Sequence, residues 1–201
     1  MQLVIGTGGL SKQALSSLKL SNEKTDSELV FFENVNGIEE FFGYRVIHDY
    51  SKISKPFGFI ICLGNPIHRL KFYNDLIELG GYPLNVFSEY SLLFDCELGV
   101  GNLILPYSLL EPSSRIGNNN LINCYVGIFH DVVIGDHNEI MPGAKLLGCS
   151  SIGSNCRIGS NATILPNISI CDNVIIGAGA VVINDITESG TYVGVPARKV
   201  R

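Results

Sequence analysis

The second half of the chain repeats an apolar position every six residues. From Leu98 to Thr187 each group of six, called a hexad here, opens on a branched aliphatic residue. Six residues are too few for a helical repeat but suit a short strand followed by a bend. The pattern therefore predicts parallel strands whose openers point inward. The fifteen openers are Leu98, Ile104, Leu110, Ile116, Ile122, Ile128, Ile134, Ile140, Leu146, Ile152, Ile158, Ile164, Ile170, Ile176 and Val182.

A second period of eighteen residues lies on the first. Glycines recur at this spacing in two series, Gly99, Gly117, Gly135 and Gly153 in one and Gly159 and Gly177 in the other. Three hexads therefore make one coil, and the chain is expected to wind as a triangular prism of five coils. The fifth position of the hexad is usually small or β-branched, which suits a tight inner corner. Each coil covers the apolar face of its neighbour, so the stack forms the core.

The first part of the chain alternates differently. Apolar runs over Met1–Ile5, Leu29–Phe32, Phe57–Leu63 and Tyr82–Phe87 predict strands, and helical spacing marks about Leu10–Leu20 and Ile67–Leu79. Strands that alternate with helices predict a small parallel sheet. We therefore expect a Rossmann-like α/β domain over residues 1–87 and an all-β domain over residues 88–201 that ends in a short tail.

Composition narrows the function classes. A formal charge of −5 and a pI near 5.3, with no run of lysine or arginine, argue against a nucleic-acid partner. No apolar stretch reaches membrane-spanning length and no secretory signal is evident, so we expect a cytoplasmic protein without a membrane partner. The six cysteines form no Cys-x-x-Cys pair. We interpret them as reduced packing residues and predict no metal.

One histidine differs from the other three. His130 is the third residue of its hexad, and its equivalents one coil before and after are Pro112 and Gly148. The imidazole is therefore expected to project from the prism wall beside an open glycine. Asp131 follows it and Asn123 precedes it by seven residues, so both could orient the ring. Imidazoles titrate near neutral pH and suit general-base chemistry, although a solvated histidine at a bend fits the spacing equally well.

A glycine turn ends the first strand. Gly6-Thr7-Gly8-Gly9 leads into the first helix, where backbone N–H groups can approach a phosphate, and Lys12 lies one turn further on. The turn is not a full Gly-x-Gly-x-x-Gly pattern, so nucleotide binding and a merely structural turn remain equal alternatives.

The sequence resembles the left-handed parallel β-helix acyltransferases, in particular the sugar acetyltransferases typified by sialic acid O-acetyltransferase and bacillosamine N-acetyltransferase. The resemblance covers nearly the whole chain. It rests on Val4 to Gly9, Asn123 with His130-Asp131, Ile134-Gly135-Asp136, Met141 to Ala144, Ile176 to Val182, and the closing Gly194-Val195-Pro196-Ala197-Arg198.

The resemblance implies a left-handed helix, a homotrimer and acetyl-CoA bound between two prisms. It assigns His130 as the general base, with Asp131 and Asn123 as positioning groups and the Gly148 N–H as the oxyanion donor. Acetyl-CoA would contact small residues along the coils and cations in the tail. These are Gly148, Gly159, Ala162, Gly177, Ala180, Pro196, Arg198 and Lys199. For the tail, disorder is the competing interpretation.

The resemblance also implies that the α/β domain holds a nucleotide-linked sugar. Gly6, Gly8, Gly9 and Lys12 match the nucleotide-sugar loop, and Glu33 and Asn34 follow the second strand. Relatives often have acidic pairs there, so this departure leaves a uridine or thymidine carrier open. The expected activity is acetyl transfer from acetyl-CoA to the amino group of a 4-amino-4,6-dideoxyhexose nucleotide. No metal is required.

Several other functions compete with this one. O-acetylation of sialic acid or another sugar hydroxyl is the first alternative, and a non-catalytic β-helix scaffold is the second. A metal-dependent hydratase similar to the gamma-class carbonic anhydrases would need three converging histidines, and His130 and His137 lie on different faces. A nicotinamide enzyme would leave the prism without a role.

Overall fold

The protein consists of a small α/β unit joined to a long triangular prism. The structure, a computed structural model, describes residues 1–20, 28–33 and 37–200. No helix in these ranges is long and apolar enough to cross a membrane.

The α/β unit is built on a six-stranded sheet. Its strands are β1 (Gln2–Ile5), β2 (Leu29–Phe32), β3 (Glu40–Phe41), β4 (Tyr44–Ile47), β5 (Gly58–Ile61) and β6 (Tyr82–Pro83). The spatial order is β3-β4-β2-β1-β5-β6, and all pairs are parallel except the β3–β4 hairpin. The helices are α1 (Gly9–Leu20) and α2 (Pro66–Glu78), and a 3-10 turn spans Tyr50–Lys52. The predicted parallel sheet is confirmed.

Two local sequence signals determine where helix α2 begins. The Asn65 side chain accepts hydrogen bonds from the N–H groups of Ile67 and His68, and Pro66 occupies the first helical position, where its missing N–H costs nothing. The hairpin was not predicted. Its turn, Phe42-Gly43, has positive φ at both residues, and strands of two and four residues are too short for a clear periodicity.

The prism has three flat faces made of very short strands. The first face contains Val86–Phe87, Leu103–Ile104, Leu121–Ile122, Glu139–Ile140, Arg157–Ile158, Val174–Ile176, Gly190–Val193 and, antiparallel at its end, Arg198–Lys199. The second contains Leu92–Leu93, Leu109–Leu110, Gly127–Ile128, Lys145–Leu146, Thr163–Ile164 and Val181–Val182. The third contains Glu97–Leu98, Arg115–Ile116, Val133–Ile134, Ser151–Ile152 and Ser169–Ile170.

Residues 86–186, all of which the structure describes, make six coils, one more than the sequence predicts. The first coil consists of Val86–Phe87, Leu92–Leu93 and Glu97–Leu98, and its first two strands precede the predicted series. It begins with Val86–Phe87, which pairs with Leu103–Ile104 in the prism, whereas Tyr82–Pro83 pairs with β5 in the α/β sheet. The single strand expected over Tyr82–Phe87 is therefore divided between the two sheets. The division into domains at residue 87 stays a prediction.

The openers fill the prism interior as predicted. Fourteen of the fifteen are buried, and Leu98 at the beginning of the series is partly buried against the same core. Small and β-branched residues of the fifth position, such as Val126, Ala144 and Ala162, lie in this core with them. Stacked aliphatic side chains removed from water supply the main stabilisation of such a fold.

Fourteen of the fifteen hexads turn their corner in the same way. The fourth residue of each of these hexads has a left-handed backbone, with φ between 52° and 77°. Asn, Asp and Gly tolerate this conformation best and hold most of these positions. The residues are Gly101, Tyr107, Ser113, Asn119, Tyr125, Asp131, His137, Gly143, Cys149, Asn155, Asn161, Asn167, Asn173 and Gly179.

Buried asparagines line one inner corner. Asn102, Asn120 and Asn138 are fully buried at equivalent positions of successive coils. The side-chain oxygen of each accepts the backbone N–H one coil later, at 2.7 to 2.8 Å. This asparagine ladder joins successive coils along the corner between the third and first faces. We did not predict it, because these residues interrupt the small and β-branched pattern.

Candidate functional site

The imidazole of His130 is paired with the carboxylate of Asp131. His130 Nδ1 lies 2.9 Å from Asp131 Oδ2, and both side chains are exposed on the edge between the second and third faces. A carboxylate can only accept a hydrogen bond, so Nδ1 carries a proton, and in the neutral ring Nε2 is the nitrogen that can accept another. The left-handed backbone of Asp131 sets its side chain beside the ring. Asp131 is therefore the neighbour that contacts the ring, as the sequence suggested it could.

Gly148 gives the imidazole its place. An added Cβ at Gly148 would lie 2.5 Å from both Cε1 and Nε2 of His130, so the ring occupies the space that a side chain would fill. The main chain holds the same pair together, since Cys149 N–H donates to the His130 carbonyl at 3.0 Å. Within the described part of the chain, the Gly148 N–H has no acceptor. It is free to donate to a group beside the ring.

Asn123 does not reach this histidine. Asn123 is only 7% exposed and lies at the start of the preceding corner. The strand Gly127–Ile128 of the second face separates it from His130. Among the described residues no hydrogen bond joins the two side chains. Asp131 alone orients the ring within one chain, and the role expected for Asn123 toward an acceptor stays a prediction.

The residues expected to line an acetyl-CoA path lie on another edge. Gly159, Ala162, Gly177 and Ala180 form corners between the first and second faces, away from the His130 edge. Ala162 and Ala180 are fully buried, because the fifth position points into the prism. Their side chains therefore line no surface path, contrary to expectation. Gly159 is covered by the main chain at Gly177 and Ala178, and only Gly177 keeps partial exposure.

The tail forms part of the prism. Arg198–Lys199 pairs antiparallel with Gly190–Val193, so the alternative of tail disorder is wrong for these residues. Pro196 and the Arg198 side chain are exposed. Lys199 Nζ lies 3.0 Å from Glu188 Oε2, and this hydrogen bond raises the pKa of Lys199. Arg198 is the tail cation whose charge no carboxylate contacts among the residues described.

A cavity of about 260 Å³ opens beyond the carboxyl ends of β1, β2 and β5. Gly6 and Glu33 line it, and Glu33 Oε2 accepts a hydrogen bond from the Thr7 hydroxyl at 3.0 Å. Gly8 and Gly9 have nothing within 4 Å of an added Cβ, so their backbone is open to a ligand. The complete lining is Ile5, Gly6, Phe32, Glu33, Leu63, His68, Lys71 and Phe72.

The sequence predicts Lys12 and Asn34 at this cavity, and the structure differs for Lys12. Lys12 does not line it, because its Nζ lies over the Phe42 ring at 5.7 Å from the centroid. Asn34 lies outside the described residues. The cations at the cavity are instead Lys71 and, when protonated, His68, both in the first half of α2. The sequence contained their signal, since α2 follows β5 just as α1 follows β1.

Three possible metal ligands meet at the His130 edge. One ligand atom from each of His130, Asp131 and Cys149 lies within 4.8 Å of the other two, and all three residues are exposed. Asp131 and Cys149 occupy the same corner position in successive coils. Cys149 is exposed, which contradicts its interpretation as a packing residue.

The chain is similar in sequence to known proteins. A family model described as bacterial transferase hexapeptide (six repeats) matches residues 131–166 and 149–184. GDP-perosamine N-acetyltransferase of Escherichia coli O157:H7 is 28% identical over 159 residues, which cover 76% of this chain and 72% of that protein.

Two solved structures match over nearly the full length. The acetyltransferase domain of PglB from Neisseria gonorrhoeae FA1090 in complex with acetyl coenzyme A gives a TM-score of 0.90 at 25% identity, covering 99% of this chain and 98% of that one. WeeI from Acinetobacter baumannii AYE gives 0.91 at 29% identity, covering 100% and 99%. Together with the repeats, these similarities support a hexapeptide-repeat sugar acetyltransferase, and the solved structures share the left-handed β-helix fold with this chain.

Proposed function

We propose that this protein transfers the acetyl group of acetyl-CoA to the amino group of a nucleotide-linked amino sugar, with His130 as the general base. The observation that carries the proposal is the imidazole held over Gly148 with its Nδ1 on Asp131 and its Nε2 free. The similar E. coli enzyme is named for N-acetylation of GDP-perosamine, and the similar PglB domain is solved with acetyl coenzyme A.

The chemistry is direct transfer. The sugar amine attacks the thioester carbonyl, His130 Nε2 accepts the amine proton, and the carbon–sulfur bond breaks to release coenzyme A. The tetrahedral intermediate carries a negative oxygen that needs a donor, and the free Gly148 N–H beside the ring suits that task. Holding both reactants at one edge supplies much of the acceleration.

The α/β cavity is the proposed site for the nucleotide. Gly8 and Gly9 lie at the N-terminus of α1, where backbone N–H groups favour phosphate. Lys71 adds a positive charge, and the Glu33 carboxylate can accept hydrogen bonds from ribose hydroxyls. The carrier base is open to guanosine as well as uridine and thymidine, because the relative acts on a GDP sugar.

Acetyl-CoA binding is proposed to involve a second copy of the chain. Gly177 and the Arg198 cation lie away from the His130 edge, so one chain alone does not bring them to the imidazole. A neighbouring prism packed against this edge would do so, which fits the homotrimer expected from the family resemblance. Arg198 and Lys199 then supply charge for the coenzyme phosphates.

The test is a thiol-release assay with acetyl-CoA. Amino-sugar nucleotides of guanosine, uridine and thymidine, and free sialic acid, are offered to the wild type and to His130→Ala. We expect turnover on one nucleotide-linked amino sugar and a loss of about 100-fold to 10,000-fold in the variant. Because His130 is exposed, thermal unfolding of the variant should match the wild type and exclude misfolding. Full activity in His130→Ala refutes the base assignment, and turnover on sialic acid alone changes the acceptor.

A further inference from the structure

We infer that His130, Asp131 and Cys149 form a Zn²⁺ site, and that a cation bound there switches the enzyme off. The site itself stands on geometry, while its effect on turnover rests on the proposed function. The donor set comprises an imidazole nitrogen, a carboxylate oxygen and a thiol sulfur, all of which Zn²⁺ accepts.

The distances suit a single ion. Three atoms that lie within 4.8 Å of one another have a common point no more than about 2.8 Å from each, and Zn²⁺ bonds to such ligands at about 2.0 to 2.3 Å. Each donor therefore needs to move by less than about 1 Å. The three side chains are exposed and free to make that adjustment. Three protein ligands leave a fourth position for water, as in open zinc sites.

The surroundings favour a cation. Asp131 also lines a neighbouring cleft of about 380 Å³ together with Asp95 and Glu97, whose charges are opposed there by Arg115 alone among the lining residues. Glu111 adds a further carboxylate, which accepts the His130 backbone N–H at 3.1 Å. A divalent ion thus meets an excess of negative charge beside its ligands.

Metal binding would remove the proton acceptor of the reaction. A metal-bound imidazole cannot take a proton from an amine at the same nitrogen. Ligation through Nδ1 would replace its hydrogen bond to Asp131 and leave the ring proton on Nε2, which then cannot accept another. Cys149 has no part in the proposed acetyl transfer. Its replacement should therefore remove zinc sensitivity and leave turnover intact.

The binding test uses the full chain freed of metal by chelator, without substrates. Calorimetry with Zn²⁺ and absorption with Co²⁺, whose thiolate complexes have a near-ultraviolet charge-transfer band, are measured for the wild type, Cys149→Ser and Cys171→Ser. We expect the band in the wild type and Cys171→Ser, and its loss with at least tenfold weaker Zn²⁺ binding in Cys149→Ser. Absence of binding in the wild type, or equal binding in Cys149→Ser, overturns the site.

The activity test is separate. In the thiol-release assay, the Zn²⁺ concentration that halves turnover should rise at least tenfold in Cys149→Ser relative to the wild type. Zinc that binds at Cys149 but leaves wild-type turnover unchanged overturns the switching role. If no acceptor is acetylated even without metal, the proposed function fails, while the binding measurements still decide the site.

Discussion

At the scale of single residues, Gly148 decides where the imidazole of His130 can lie. The ring occupies the volume of the missing side chain, and the neighbouring Asp131 fixes its Nδ1. The sequence predicted this arrangement because an eighteen-residue step from His130 meets a glycine. It did not predict the cavity cations, since Lys12 is near the glycine turn in sequence while Lys71 is near it only in space.

Adding one methyl group at Gly148 should therefore disable the site. In Gly148→Ala the new Cβ would overlap the His130 ring, so the imidazole must leave its place. We expect turnover to fall about a hundredfold, the usual effect of a reacting group displaced by about 1 Å. The His130→Ala, Gly148→Ala double variant provides the control in the thiol-release assay. It should be no slower than His130→Ala alone, and additive losses would show that Gly148 acts independently of the ring.

His137 should make the stability of the fold sensitive to mild acid. Burial lowers its pKa, as does the nearby Arg69 guanidinium, while Asp136 acts in the opposite direction. The unfolded chain then takes up protons below about pH 6.5 more readily than the folded chain. The stabilisation is complete above that pH and is lost as the pH falls. The ring also accepts a hydrogen bond from the Asn119 amide at 2.9 Å, which protonation of Nδ1 would break.

We expect His137→Gln to lose less stability than the wild type between pH 7.5 and 5.5. The difference should stay well below about 1.4 kcal/mol per pH unit, which is the value for one full proton, because the ring is only half-buried. Urea unfolding at both pH values measures it. His68→Gln, at an exposed histidine, should follow the wild-type pH dependence. Parallel slopes for all three proteins would contradict the assignment.

At the scale of elements, two features of the prism escaped prediction for physical reasons. The first coil was missed because the strands ending at Leu93 and Leu98 are only five residues apart, which breaks the six-residue register. The asparagine ladder was not predicted because a polar amide does not fit the apolar pattern that marks buried positions. Its stability depends on hydrogen bonds to adjacent coils, which a single hexad does not display.

Interrupting the asparagine ladder should lower the free energy of unfolding strongly. Asn120 accepts the Asn138 N–H at 2.8 Å and donates to the Gly135 carbonyl at 2.9 Å, with no solvent contact. Asn120→Ala leaves both buried partners unpaired and should cost about 2 to 4 kcal/mol in the free energy of unfolding.

Asn85→Ala is the matched control for the ladder. Asn85 makes the corresponding two bonds, to the Asn102 N–H and the Gly99 carbonyl, but is exposed, so water can replace it. Its loss should stay below about 1 kcal/mol in the same urea titration. Equal losses in the two variants would mean that burial does not set the cost.

At the scale of the whole molecule, one arginine joins the α/β unit to the prism. The fully buried Arg69 guanidinium donates to the carbonyls of Ile61 and Leu63 at the end of β5, and to the carbonyl and side chain of Asn119 in the prism at 2.7 to 3.0 Å. Desolvation lowers the pKa of Arg69 to about 10. Arg69 and Asn119 lie fifty residues apart in sequence, so no local sequence pattern predicts this contact.

Removing the guanidinium should destabilise the protein strongly. Arg69→Met leaves three main-chain carbonyls and the Asn119 side-chain oxygen without this donor and should cost about 3 to 5 kcal/mol. Urea unfolding checks this against Arg45→Met, which removes an exposed ion pair with Glu28 and should cost less than about 1 kcal/mol. A small loss in Arg69→Met would show that the apolar contacts between the α/β unit and the prism suffice.

The antiparallel strand at the end of the first face has a consequence for solubility. A stack of parallel strands ends in an edge of unpaired N–H and C=O groups, and such an edge can recruit another chain and grow into a fibre. Arg198–Lys199 covers the edge of Gly190–Val193 with its direction reversed, and its two cationic side chains are exposed. The protein thereby protects a repetitive sheet against the open-ended addition to which repetition would otherwise lead.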